Sequence, residues 1–349
     1  MSGGIAQLVA VGAQDAHLVG QPEISFFRST YKRHTNFSQT VERQVIQGNV
    51  SNGGMSTIRF ERKGDLLSYV YLVPNDGSAA QGYSAADWRT KIDKIELLVG
   101  GQVIDDQDST YSTLIAPVLS ATNSSKSVSG DLFGGANTSR FYPLRFAFCE
   151  NLQTALPLIA LQYHDVELRI TWGSAADNCK WDVYANYVYL DTEEREFFAS
   201  KPQNMIITQV QKATASATKI QELNFNHPVK YLAAGKASAL EILNDDNKLK
   251  LQINGTDVAD FKFADPNFSH VPLYFHTTNA AKPATLKTLF VYPFCLDAGK
   301  LQPTGTLNFS RLDSARIVND TRDCDDDIYA VNYNILRIEN GMGGLLYSN

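Results

Sequence analysis

Apolar and polar residues alternate with a period of two along most of the chain, which is the pattern of strands with one face in a core and the other in water. In 57–62, Ile58 and Phe60 share a face, and in 306–311, Leu307 and Phe309 oppose Thr306, Asn308 and Ser310. The same reasoning predicts strands over 41–46, 65–74, 141–150, 158–172 (broken near Gln162), 181–190, 205–211, 219–225, 228–233, 271–276, 285–296 and 327–338. Hairpins are expected over 94–106, turning at Gly100-Gly101, and over 248–263, turning at Asn254-Gly255. Asn52-Gly53-Gly54 and Pro303-Thr304-Gly305 are further turn signals. Helix is sparse. Asp108-Ser109-Thr110 reads as the cap of a short helix reaching Ser120, and Asp191 with Glu193 and Glu194 reads as a capped turn over 191–198. The polar stretches 75–87 and 121–139 read as loops.

The two halves repeat one vocabulary. Asp182-Val183-Tyr184-Ala185 returns as Asp327-Ile328-Tyr329-Ala330, Tyr142-Pro143 returns as Tyr292-Pro293, and Gly100-Gly101 matches Asn254-Gly255, each about 150 residues later. Three matches in one order imply two copies of one β domain with about eight strands each, the strand number of a jelly roll. The fold expected is therefore all-β, two consecutive eight-stranded jelly rolls with few short helices. The organisation expected is an N-terminal arm over 1–24, a first roll over 25–200 and a second over 201–349, divided at Lys201-Pro202-Gln203-Asn204.

Composition agrees with this. The 349 residues are 44% hydrophobic and 19% charged, enough apolar material for sizeable cores and too little charge for a disordered chain. A net charge of −6 gives no reason to expect specific nucleic-acid binding. Cys149, Cys179, Cys295 and Cys324 form no C-x-x-C, which argues against a zinc site or a disulfide framework. No apolar run reaches the length of a membrane span, and the N-terminus lacks the pattern of a secretory signal.

Candidate chemistry is thin. There is no nucleophile elbow, P-loop or His-Glu-x-x-His. His164-Asp165 with Glu167 offers the beginning of an acid–base or metal site, but on an alternating strand Asp165 and Glu167 point away from His164. Asp323-Cys324-Asp325-Asp326-Asp327 lacks the glycine and distal glutamate of an EF-hand loop. No catalytic residue, cofactor or metal is expected. Arg28, Lys32, Arg33 and His34, interleaved with Phe26, Phe27 and Tyr31, read either as a contact surface for a partner or anionic membrane, or as solvated cations on a strand and turn. Of eight Asn-x-Ser/Thr sequons, Asn123 and Asn137 lie in the most loop-like segment and are the candidate glycosylation sites.

Several segments together resemble a known family. They are Gly20-Gln21-Pro22-Glu23-Ile24-Ser25-Phe26-Phe27 with Tyr31-Lys32-Arg33-His34-Thr35-Asn36-Phe37, the stretch Ala155 to His164, the stretch Glu222 to Lys230, Gln302 to Asp313, and Tyr329 to Asn349. In this order along nearly the whole chain they resemble the major capsid proteins of large nucleocytoplasmic DNA viruses. The resemblance implies a non-enzymatic structural subunit, a double jelly roll whose strands stand roughly upright on an icosahedral capsid. Three copies would form a pseudo-hexagonal capsomer, and capsomers would then contact one another. It also implies an arm and roll bases facing inward, toward minor capsid and penton proteins and an internal membrane, and a location in the virion after assembly in the host cytoplasm. The chain looks shorter than many such proteins, which implies a low outer tower and little area for sugars. The competing class is a jelly-roll carbohydrate-binding or hydrolytic protein, which would gather aromatics, carboxylates or histidines at one concave site.

Overall fold

The computed structural model describes residues 12–120, 139–277 and 286–348. Met1–Asn36 forms one compact unit and Phe37–Asn349 another. In the first, a 3-10 turn at Ala13–Asp15 runs into the single helical turn Ala16–Val19, and residues 28–36 have no regular structure.

The second unit contains four antiparallel sheets. The strands of the first half are β1 (Phe37–Gln44), β2 (Ile46–Gln47), β3 (Met55–Arg59), β4 (Leu66–Asn75), β5 (Ile92–Val99), β6 (Gln102–Asp108), β7 (Tyr142–Pro143), β8 (Leu156–Pro157), β9 (Val166–Trp172) and β10 (Lys180–Leu190). They make one sheet in the order β1-β10-β4-β7 and another in the order β2-β3-β9-β5-β6. The second half continues with β11 (Gln203–Ala213), β12 (Ile220–Glu222), β13 (Pro228–Gly235), β14 (Lys248–Ile253), β15 (Thr256–Asp257), β16 (Lys262–Phe263), β17 (Leu289–Pro293), β18 (Leu307–Asn308), β19 (Ala315–Asn319), β20 (Ile328–Glu339) and β21 (Met342–Leu345). Its sheets run β11-β20-β13-β17 and β12-β19-β14-β15. The two halves therefore have the same strand order, which is that of a jelly roll, and the fold is a double jelly roll.

The repeat extends to the register. Tyr71 stands opposite Pro143 and Leu72 opposite Tyr142, just as Tyr231 stands opposite Pro293 and Leu232 opposite Tyr292. Gly100-Gly101 joins β5 to β6, and Asn254-Gly255 joins β14 to β15. All four residues have positive φ, as a two-residue hairpin turn requires. Each central strand, β10 or β20, carries a buried asparagine beside a register shift. Asn186 donates to Gln39 Oε1 (3.2 Å), and Asn332 Oδ1 accepts from Gln211 (2.8 Å).

Each roll has its own core. Ile58, Leu72, Leu168, Ile170, Trp172 and Val183 fill the first, and Leu232, Leu249, Phe290, Phe309 and Ile317 the second. The rolls are joined by two devices. Segment 111–119, a wide π turn at Tyr111–Ile115 followed by the helical turn Ala116–Leu119, leaves β6 and lies on the second roll. Its Tyr111, Ile115, Ala116 and Leu119 form one apolar cluster with Tyr231, Ala233, Leu289, Val291 and Tyr329. The chain's end supplies the other. After the turn Asn340-Gly341, β21 folds back on β20 and touches the first roll, where the Gly343 carbonyl lies 2.8 Å from His164 Nδ1.

Several expected elements differ, each for a local reason. The expected strand 141–150 is only Tyr142–Pro143, followed by helix Ala147–Glu150, where the Phe146 carbonyl accepts from the Cys149 amide (2.9 Å), a local bond in place of strand pairing. The expected strand 271–276 is helix His270–Phe275, whose proline falls in the first turn, where its missing N–H is tolerated. In 306–311 only Leu307–Asn308 is extended. The Asn308 side chain accepts from the Ser310 amide (3.0 Å) and starts the 3-10 turn Phe309–Arg311, a local bond that competes with strand pairing. Only Ile220–Glu222 of 219–225 is a strand, and of 158–172 only β9, Val166–Trp172, is extended, with β8 ending just before that range at Pro157. The end of the expected loop 75–87 begins helix Ala85–Lys91, capped by Ser84 and Asp87. Strands β19 and β21 were not expected; β19 has the period-two burial of a half-buried strand, with Ala315, Ile317 and Asn319 inward. The expected loop 121–139 lies, but for Ser139, outside the described residues.

The clamp made by β21 yields a prediction. A Cβ on Gly343 would stand 2.6 Å from Leu161 Cδ2 and 3.1 Å from Val99 Cγ1. Gly343→Val is expected to cost about 1–3 kcal/mol of stability by overpacking, read as a lower urea midpoint at unchanged slope.

Candidate functional site

The distinctive chemistry lies on matching outer sheet faces of the two rolls and at the junction between them. In the second roll, Lys212 on β11 stands opposite Tyr329 on β20 and forms an ion pair with Asp327 (2.8 Å). In the first roll, Arg43 on β1 stands opposite Tyr184 on β10 and forms an ion pair with Asp182 (2.5 Å). On the neighbouring strands Tyr71 stands opposite Tyr184, whereas Tyr231 stands opposite Val331, two residues along from Tyr329. The surroundings differ. Tyr231 and Tyr329 are 0% and 2% exposed beneath segment 111–119. Tyr71 and Tyr184, stacked with centroids 5.4 Å apart, are only half-buried, and Tyr69 beside them is 40% exposed.

The covered face is held by polar bonds at its edges. The hydroxyls of Tyr111 and Tyr231 both hydrogen-bond the Ser120 hydroxyl (2.9 and 2.8 Å). Asp108 Oδ2 accepts from Tyr329 (2.5 Å) and Lys212 (3.2 Å), and its Oδ1 accepts from the Tyr111 amide (2.8 Å). Burial and the nearby Asp108 carboxylate push the Tyr329 hydroxyl far above its ordinary pKa. Asp105 is the deepest acid of the junction. Its Oδ1 accepts from the Val210 amide (2.8 Å) and its Oδ2 from Gln107 (2.9 Å). Those bonds favour the carboxylate, but burial outweighs them and raises its pKa to about 8. A cleft of about 620 Å³ opens beside these groups, lined also by Lys94, Asp106 and His227.

The residues singled out from sequence do not form an active site. Arg28, Lys32, Arg33 and His34 lie in the N-terminal unit, all exposed among exposed Phe26, Phe27 and Tyr31, with His34 Nδ1 2.7 Å from the Thr35 carbonyl. His164 is engaged by the Gly343 backbone, while Asp165 is held by Arg59 (2.6 Å) and Arg62 (3.6 Å). In the 323–327 run, Asp326 pairs with Lys236 (2.9 Å) and Asp327 with Lys212, and among the described residues no group of acids, histidines and cysteines is arranged to hold a metal. Asn123 and Asn137 lie outside the described residues. The resemblance segment ending at Lys230 supplies a buried cation instead. Lys230 Nζ donates to the carbonyls of Ala298 (2.9 Å) and Lys300 (3.3 Å), and burial lowers its pKa to about 8. The paired tyrosine faces were missed as a site, although the repeated Asp-x-Tyr-Ala already carried them.

Comparison with known proteins decides the family. Residues 25–191 match the model of the major capsid protein N-terminus, and residues 236–344 match that of the large eukaryotic DNA virus major capsid protein. The chain is 36% identical to the major capsid protein of Pyramimonas orientalis virus, with all of both chains covered. The chain belongs to the major capsid proteins of large eukaryotic DNA viruses. The major capsid protein of Paramecium bursaria Chlorella virus 1 is 32% identical, again over the full length of both. The PBCV-1 virus capsid in a quasi-atomic model matches with a TM-score of 0.73 at 27% identity, over 93% of this chain and 100% of that one. These relatives are structural, and this capsid protein is a component of a virion shell, not an enzyme.

Asp105 gives a pH prediction with a definite sign. Its folded-state pKa lies above its unfolded value, so folding takes up a proton. The stability this proton contributes is complete below about pH 4 and is lost as pH rises through about 8. Urea unfolding between about pH 6 and 8 should show stability falling with pH. Asp105→Asn should flatten that dependence by up to about 1.4 kcal/mol per pH unit.

Proposed function

We propose that this capsid protein assembles as a homotrimer that forms a pseudo-hexagonal capsomer of an icosahedral shell. The observation that supports this reading is the repeat itself. Two rolls of one topology in a single chain mean that three copies supply six similar rolls for one ring. The organisation proposed with it is an arm over 1–24, a first roll over 25–200 and a second over 201–349; in support, the sheets draw their strands only from 37–190 and from 203–345. Capsomers would then contact one another and minor capsid and penton proteins, with assembly in the host cytoplasm and expression late in infection. Asn123 and Asn137 are proposed as glycan acceptors, to be read by peptide mass spectrometry of virion protein.

The basic segment is proposed to face inward, toward minor capsid proteins or an anionic internal membrane. Its exposed cations interleaved with exposed aromatics suit both contacts. Arg28→Gln, Lys32→Gln and Arg33→Gln together should reduce co-sedimentation with anionic vesicles at low salt several-fold. Unchanged binding would remove the membrane from this reading.

Light scattering after size exclusion tests the oligomer. A mass three times the 38.6 kDa of one chain, stable on dilution, is expected, with hexagonal arrays visible by electron microscopy. A tight monomer that no partner converts would contradict it.

A further inference from the structure

The C-terminal strand β21 completes a sheet of the second roll while lying against the first. One side of β20 is paired by β13 only over 329–332. Farther along that side, 336–339 pairs with Met342–Leu345, while β11 occupies the other side over 328–338. Without β21 the far end of β20 would be an open strand edge. Its Leu336 and Ile338 pack in the apolar cluster of the first roll. Glycine lets the strand close on that roll. A Cβ would stand 2.7 Å from Tyr163 Cδ2 at Gly341 and 3.2 Å from Gln102 Oε1 at Gly344, beside the tighter approach already described at Gly343. Gly341-Met342-Gly343-Gly344 is thus a strip of three close approaches to the first roll.

The strip is held by backbone bonds more than by buried side chains. The Tyr163 amide donates to the Gly341 carbonyl (2.9 Å), the Leu346 amide to the Ile335 carbonyl (2.9 Å), the Leu345 amide to Gln102 Oε1 (3.3 Å) and Asn334 Nδ2 to the Tyr347 carbonyl (2.9 Å). The Gly343 carbonyl and amide both lie near His164 Nδ1, at 2.8 and 3.2 Å, so either tautomer of the ring meets a partner. The ring fits there because Gly100 has no side chain; a Cβ on it would stand 2.4 Å away. Met342, Leu346 and Tyr347, by contrast, are 50%, 39% and 58% exposed. Each hydrogen bond adds little net stability, and segments with few buried apolar contacts open below the free energy of global unfolding. The groove also needs both rolls, Val99, Gln102, Leu161, Tyr163 and His164 from one and 334–339 from the other, so β21 closes only after both have formed.

We propose that β21 is a latch: it closes last over a groove built by both rolls, ties their bases together when shut, and opens as one unit while both rolls stay folded. Segment 111–119 meets β20 at Tyr329, about 23 Å along the strand from Leu336, so junction and latch hold opposite ends of β20. Opening frees 336–339 as a strand edge able to pair with another extended segment. The device is a property of the single chain and does not depend on how copies associate.

Hydrogen exchange of the full-length protein at rising, sub-denaturing urea tests this, read by mass spectrometry of its peptides. Peptides covering 341–348 and the peptide carrying Tyr163 should exchange together, about 100-fold or more faster than peptides from β10 and from 328–334, and with little dependence on urea. Exchange of 341–348 only with global unfolding, or without Tyr163, would overturn the latch. The full-length His164→Ala variant gives a second reading, and the wild-type profile stands without it. The variant should speed exchange of 341–348 and of Tyr163 by one common factor of about ten, leaving β10 and 328–334 unchanged. Exchange of 341–348 that ignores His164 would mean a frayed end in place of a latch. Equal acceleration of every peptide would mean a loss of global stability, and either result would overturn the proposal.

Discussion

The structure depends on covering one aromatic sheet face. Tyr231 and Tyr329 lie on the outer side of a sheet whose inner side already faces a core, and segment 111–119 takes that outer side out of water. Complete burial of a large apolar side chain is worth about 1.5–3 kcal/mol. The cluster of Tyr111, Ile115, Ala116 and Leu119 with its partners is therefore a large share of what holds two rolls as one body. The polar bonds around it fix geometry more than energy. Asp108 reaches both Tyr329 and Lys212, and Ser120 links Tyr111 to Tyr231, so the hydroxyls of Tyr111, Tyr231 and Tyr329 all find partners. The β21 clamp adds a second tie, and glycine at 343 is what lets the backbone lie against Leu161.

A duplicated fold in one chain creates an imbalance that its energetics must resolve. Each roll carries the same charged and aromatic set, Arg43, Asp182, Tyr184 and Tyr71 in one, Lys212, Asp327, Tyr329 and Tyr231 in the other. A chain with two rolls has one internal junction, so one set is buried and one is left at the surface. In a protein whose relatives build virion shells, the exposed set is the natural place for association.

Much of this was legible in the sequence. Period-two alternation located the long strands β4, β10, β11 and β20, and the repeat of Asp182-Val183-Tyr184-Ala185 at Asp327 marked the equivalent central strands of the two sheets. Asn254-Gly255 and Gly100-Gly101 turned where expected because few other dipeptides tolerate two successive positive φ values. What was misread was decided by contacts distant in sequence or by local side-chain bonds. His270 to Phe275 alternates well enough for a strand, yet it folds as a helix with Leu273 seated in the junction cluster. Asn308 ended a strand through its own side chain. The junction itself was invisible, since nothing in a linear pattern tells that Tyr231 is covered and Tyr71 is not.

Hydroxyl-radical footprinting of the tyrosines, comparing dissociated chains with assembled capsomers, tests this account most directly. Tyr71 and Tyr184 should be labelled in the dissociated chain and protected on assembly, while Tyr231 and Tyr329 stay protected in both. Equal labelling of Tyr71 and Tyr184 before and after assembly would contradict it, because the aromatic face of the first roll would then remain in water in the finished particle.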